Sequence, residues 1–184
     1  MAFFKSHRGA MAVAVVVIAL SVLFGFHRSA TAARADVEAR FYTGADGSGY
    51  SIAADLEDCL SITANLATVA GRYLQADALA ELERGREALS ASLDSGSIAD
   101  AHAAYRQLIS AADGVLLALE GCALTQQDGD YVQGFRTDLA ARADTIARDP
   151  YNQAAEEFNR KKLGVFPAVL LKQITFVREA ETFR

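Results

Sequence analysis

Proline is almost missing from this chain, with two in 184 residues. Beside a 52% hydrophobic composition, that scarcity excludes a disordered or collagen-like protein. Cysteine is equally rare. Two thiols cannot frame a disulfide scaffold, and no CxxC pair can be written. Of three histidines, His7 and His27 lie beside an apolar run, which leaves only His102 in the body. A His-based metal cage and a haem-attachment motif are therefore excluded, and no cofactor is expected. The period-2 alternation that marks a half-buried strand is also absent over any useful length. The length is that of one domain, with room for an appendage.

What is present first is Gly9–Phe26, 18 residues without a charge. This approaches the length that crosses a bilayer as a helix. Lys5 and Arg8 precede it, which predicts a cytoplasmic N-terminus and an exported body, in a single-pass protein of the inner membrane. A cleaved leader is the rival reading, because Ala30-Thr31-Ala32 and Ala33-Arg34-Ala35 both fit small-x-small cleavage sites. The length of the apolar run favours the uncleaved anchor. Residues 1–28 thus form a cytoplasmic tail and anchor. Beyond them the body carries 15 basic and 23 acidic groups, net −8. With no basic stripe, that body is not expected to bind nucleic acid, nor to dock electrostatically on anionic lipid. Arg160-Lys161-Lys162 is the local exception, and a solvated helix face accounts for it.

Residues 29–49 read as a juxtamembrane continuation of the anchor helix, Ser29–Phe41, broken by the linker GADGSG at 44–49. Residues 50–184 read as helix after helix. Ile52, Leu56, Cys59, Thr63, Leu66, Ala70 and Tyr73 fall at spacings of 4 and 3, one stripe of a helix. Asp77 is expected to cap the next helix, striped by Leu79, Leu82, Leu89 and Leu93 and ended by Gly96. Ser97 and Asp100 resemble a capping box ahead of a stripe that runs from Ile98 to Cys122. Gln126–Gly129 is expected as a turn and Asp130 as the cap of a helix through Ile146. Pro150 should end that helix, with Asp149 as cap and Pro as first residue of a restart. Pro167 precedes a last apolar stretch, Ala168–Val177, too short and too charged for a second span. Striped helices joined by short turns predict an all-α, antiparallel four-helix bundle behind the N-terminal transmembrane helix.

Two stretches go beyond generic helix. One is Asn65-Leu66 with Tyr73. The other is Tyr151-Asn152, Phe158-Asn159 and Phe166-Pro167, closing with Phe176, Arg178 and Phe183. Together with one N-terminal anchor, these resemble the LemA family over most of the chain. The resemblance implies an elongated, membrane-anchored helical bundle of the bacterial cell envelope with no established catalytic residues. It implies a scaffold or interaction protein, with an envelope protein as partner and self-association also open. An envelope enzyme or accessory subunit with an unrecognised site is the alternative.

The residues support the non-catalytic expectation. His102 has no nucleophile elbow to serve and reads as solvent-exposed. Glu156-Glu157 and Glu57-Asp58 are adjacent pairs that diverge on a helix, and the Glu-x-x-His pair of a di-iron bundle is missing. Asn65, Asn152 and Asn159 are expected to satisfy backbone groups or fix register beside the core, and Tyr151, Phe158 and Phe166 to be buried anchors. A disulfide between Cys59 and Cys122 is not expected. An up-down-up helix path with a rise of about 1.5 Å per residue separates them by tens of ångströms, against the roughly 7 Å a disulfide allows. Two buried free thiols are the expectation.

Overall fold

The computed structural model describes residues 7–45, 47 and 49–184, and among these the protein is all-α, with no strand. Lys5, the Arg8 side chain, and Asp46 and Ser48 of the Gly-rich stretch lie outside the described part. The first helix, α1 (His7–Thr43), runs unbroken for 37 residues, so Ser29–Phe41 does continue the apolar run. One part of it is long and apolar enough to cross a membrane. Val15, Val16, Val17, Ile18, Leu20, Val22 and Phe24 are each more than half exposed.

The helices that follow are α2 (Ile52–Ala70), α3 (Ala76–Ser95), α4 (Ile98–Glu120), α5 (Gln126–Arg148), α6 (Tyr151–Phe158) and α7 (Ala168–Thr175). A π-helical turn, Asn159–Leu163, extends α6. Ser51 caps α2 by accepting from the Ala54 amide, and Ser97 caps α4 by accepting from the Asp100 amide at 3.3 Å. Gly96 closes α3 in the left-handed conformation at φ 73°, as its place after Ser95 predicted. Two expected caps are corrected. Gln75, not Asp77, stands at the N-cap of α3, so Asp77 sits in the first helical turn, where a carboxylate faces the positive end of the helix dipole. Thr125, not Asp130, caps α5 by accepting from the Asp128 amide, so Gln126–Gly129 is the first turn of the helix rather than a loop. The restart at Pro150 is observed. Helix α5 ends at Arg148, and the Asp149 carboxylate accepts from the Tyr151 amide at 2.8 Å to open α6.

The chain divides into two compact units. The larger comprises Ala39–Gln153 with Glu181–Arg184. Within it α3 lies along α4, and α2 packs against both α3 and α5. The predicted stripes supply its core: Ile52, Leu56, Cys59, Thr63 and Leu66 from α2, Leu82 and Leu89 from α3, Leu108 and Leu119 from α4, and Val132, Leu139 and Ile146 from α5 are all buried. Gly85 lets α3 and α4 meet closely, since a Cβ there would stand 2.9 Å from the Leu108 Cα. Both thiols are free. Cys59 is buried, but Cys122 is only half-buried, a correction that follows from α4 ending at Glu120 and leaving Cys122 in the turn beyond its stripe.

The smaller unit takes in the chain up to Glu38 together with Ala154–Ala180. Within it α7 packs on the π-helical turn, and Phe158, Leu163, Ala168 and Val177 are buried. Phe166 is not. It is 79% exposed, against the expectation of a buried anchor. The residues Gly164–Pro167 leave helical register, and Leu163 occupies the inward position instead.

Candidate functional site

The residues singled out by sequence converge on the C-terminal tail, which has no regular structure after Phe176. In the larger unit, the Asn152 amide grips Phe183 twice. Its Nδ2 donates to the Phe183 carbonyl at 2.9 Å, and its Oδ1 accepts from the Phe183 amide at 2.8 Å. In the smaller unit Asn159 repeats this on Ala180, with Nδ2 donating at 2.9 Å and Oδ1 accepting at 2.8 Å. A primary amide carries a donor and an acceptor side by side, so it pairs with one peptide as a neighbouring strand would. The expectation that Asn152 and Asn159 satisfy backbone groups thus has a specific geometry. Asn65 does not share it: it lies exposed on α2, one position beyond the buried stripe, although its neighbour Leu66 is fully buried.

Around Phe183 the larger unit builds an aromatic cluster. Phe41 meets Tyr151 at a centroid distance of 5.5 Å and Phe183 at 5.7 Å, and His102 meets Phe183 edge-on at 5.0 Å. His102 is therefore half-buried rather than solvent-exposed, because the returning tail covers one side of α4. Burial, aided by nearby Arg106, lowers its pKa. The Tyr151 hydroxyl donates to the Glu181 carbonyl at 2.6 Å, and the Glu181 carboxylate accepts the Ile98 and Ala99 amides at the start of α4. Tail and helix cap are thus one construction, and nothing in local sequence announces Glu181 as a cap from 83 residues away.

A second polar centre forms on Asp128, which is buried. Tyr73 donates its hydroxyl to Oδ2 at 2.5 Å, Thr125 donates to the same oxygen at 3.1 Å, and the Arg72 guanidinium holds Oδ1 at 2.6 Å. The Tyr73 hydrogen bond, with help from Thr125 and Arg72, keeps this carboxyl below its ordinary range despite burial. The Tyr73 hydroxyl also accepts from the Thr125 amide at 3.2 Å, so the end of α2 is locked to the start of α5. Tyr73 was legible as a motif residue. Asp128 was missed, although Thr125-x-x-Asp128 carries a capping-box signature.

The remaining titratable centre is Cys59. Its thiol is pushed up to about 12, first by burial, then by the Asp55 carboxylate, against the opposing pull of Arg142. The thiol is therefore protonated at neutral pH, and a nucleophile needs the thiolate. Arg142 spans Asp55 at 3.0 Å and Asp58 at 3.4 Å, tying α5 to α2. Tyr105, raised to about 12 chiefly by burial, lies in the same field.

The clefts in the larger unit are open. One of about 430 Å³ is lined by Leu60 of α2 and by Glu83, Arg86, Glu87, Ser90 and Asp94 of α3. Another, of about 410 Å³, lies between α3 and α4. Among the described residues no three His, Cys, Asp or Glu side chains stand where they could share a metal ion. No protein-family model matches the chain, and no curated protein or solved structure is detectably similar to it.

Proposed function

We propose that this is a membrane-anchored, non-catalytic envelope protein of the LemA type. In this reading α2–α5 form an antiparallel four-helix bundle that offers its surface to an envelope protein partner. The observation that carries the proposal is the exposed apolar run of α1: Gly9–Phe26 has no charge, and most of its large side chains, Met11, Val13, Val15 to Ile18, Leu20, Val22 and Phe24, are exposed. A helix that is apolar all round needs an apolar medium, and at this length a bilayer supplies it. Lys5 and Arg8 favour a cytoplasmic N-terminus with the bundle outside.

The continuity of α1 supports an anchor over a cleaved leader. Both candidate cleavage sites lie inside the helix, and the Arg34–Glu38 pair at 2.8 Å starts within the second of them. A protease must first unwind such a segment to reach its bond. The interaction reading draws support from the tail clamps and the Asp128 lock, which use the chain's motif residues for architecture. The acidic lining of the α2–α3 cleft suits a basic partner surface.

Membranes washed with alkaline carbonate should retain the full-length chain, and N-terminal sequencing should read residues before Gly9. A C-terminal alkaline phosphatase fusion should be active. Release by carbonate, or a mature N-terminus after Ala32 or Ala35, would refute the anchor. An inactive fusion would reverse the sidedness. Crosslinking from intact membranes should recover a protein partner, whereas turnover by the purified chain of any tested substrate would favour the enzyme alternative.

A further inference from the structure

The smaller unit carries an apolar surface that its own core does not use. Phe166 is 79% exposed, Phe176 87%, Ile174 60% and Leu170 52%. Leu170 and Ile174 are four residues apart on α7 and so share one face. Phe176 closes α7 in the left-handed conformation at φ 56°, a place usually held by glycine, and it presents its ring outward.

A hydrogen bond fixes where the end of α7 lies within the unit. His27 Nδ1 donates to the Thr175 carbonyl at 3.0 Å. His27 is the first residue after the uncharged run Gly9–Phe26. At about 1.5 Å per residue that run spans roughly 27 Å, close to the thickness of a bilayer's hydrocarbon core. If α1 crosses the membrane, the end of α7 sits where α1 leaves it.

Charge agrees. From Asn159 to Arg178 there are five basic residues and no acid; Lys161 and Lys172 pair with the flanking Glu157 and Glu179, which leaves Arg160, Lys162 and Arg178. The rest of the body after Arg28 holds 10 basic and 23 acidic groups. Arg28, beside His27, is also exposed. The expectation that the body as a whole avoids anionic lipid therefore does not extend to this segment.

We propose that residues 164–177 form an interfacial membrane element. Phe166, Leu170, Ile174 and Phe176 enter the head-group and acyl boundary of the leaflet from which α1 emerges, and Arg28, Lys162 and Arg178 meet anionic phospholipid head groups. The proposal rests on α1 being a membrane span, and the test separates the two.

The chain has no tryptophan, so single reporters can be placed cleanly. Phe166→Trp, Phe176→Trp and, in the span, Val17→Trp are each made in the full-length protein and reconstituted in phosphatidylcholine–phosphatidylglycerol vesicles. Lipids brominated near the head group or deep in the chain report depth. Val17→Trp should be quenched by deep bromines. Phe166→Trp and Phe176→Trp should emit to the blue, resist aqueous iodide and be quenched by shallow bromines. Replacing phosphatidylglycerol with phosphatidylcholine, or adding Lys162→Glu with Arg178→Glu, should restore iodide access at Phe176→Trp and leave Val17→Trp unchanged. If Val17→Trp is quenched while both other reporters remain open to iodide, the interfacial element is overturned and the anchor stands. If Val17→Trp is itself open to iodide, both fall.

Discussion

The two units treat apolar side chains in opposite ways. In the larger unit, Leu56, Leu66, Leu82, Leu89, Leu108 and Leu119 are fully or almost fully buried on the inward stripes of amphipathic helices. In the smaller, the valines and leucines of α1 and the apolar face of α7 are turned outward, around a small core of Phe158, Leu163, Ala168 and Val177. The larger unit is built for water and generates its own apolar interior. The smaller leaves apolar side chains exposed on a helix that is long and apolar enough to cross a membrane. Hydrophobicity alone does not separate them. The period does: a 3.6-residue stripe in one, an unpatterned run in the other.

The sharpest way to break this contrast is inside the smaller unit. Phe158→Ala removes a buried ring and should cost about 3–5 kcal/mol in denaturant unfolding of the full chain. Phe166→Ala, two turns of helix away in sequence but exposed, should stay within about 0.5 kcal/mol. Equal losses would mean that both rings are core and that the outward surface is not spare.

Next in size is a charge in the run. Val17→Arg should oppose membrane insertion by about 2.5–3.5 kcal/mol, read as a shift of the protein from the membrane to the soluble fraction. The larger unit, with its core elsewhere, should keep its helical circular dichroism. Loss of helix there would show that the units do not fold independently of where α1 resides.

Gly85→Ala probes the packing of the larger unit. Alanine improves helix propensity by about 1 kcal/mol, but its methyl meets the α4 backbone at Leu108, and overpacking costs about 1–3 kcal/mol. A lower Tm is expected. A higher one would mean that α3 and α4 separate freely. The paired amides come next: Asn152→Ala and Asn159→Ala each strand a donor and an acceptor of the tail, at about 1–3 kcal/mol. Hydrogen exchange should accelerate at Phe183 in the first and at Ala180 in the second, and an exchange pattern unchanged in both would remove the clamp as an explanation.

The smallest effect is in pH. Asp128 titrates below its ordinary value of 3.8 in the folded state, so its charged form stabilises the fold at neutral pH. That contribution is lost as pH falls through 3.8 toward the lower folded-state value. His102, also lowered, binds its proton more readily when unfolded, so the fold loses stability as pH falls below its ordinary 6.5. Asp128→Asn should flatten only the acid limb of the stability profile. Tyr73→Phe should flatten it in part, since its hydroxyl is the largest cause of the shift.

Much of the architecture was visible in the residues. The stripes from Ile52 to Ile146, the cap at Ser97, the stop at Gly96 and the restart at Pro150 all appear where local rules put them. These features depend on φ preference, on a side chain reaching an amide within three residues, or on a period within one helix, and each is written in a short window. The displaced caps at Gln75 and Thr125 show the limit even there, because several polar residues compete and one residue's difference in register decides.

The long-range joints were not legible. Tyr73 reaches Asp128 across 55 positions, Arg142 reaches Asp55 across 87, and Glu181 caps a helix 83 residues earlier. A residue's type shows that it can donate or accept, but only the chain's path in space selects its partner. The same holds for the aromatic residues of the C-terminal block. Sequence alone determined that the chain is helical, that one helix carries an uncharged run of 18 residues, and which faces of the amphipathic helices turn inward, because those properties repeat along the chain. Only the tertiary structure decided that Phe158 is core and Phe166 surface, that two asparagines hold the tail, and that His27 meets Thr175, because burial and pairing depend on what the rest of the chain brings alongside.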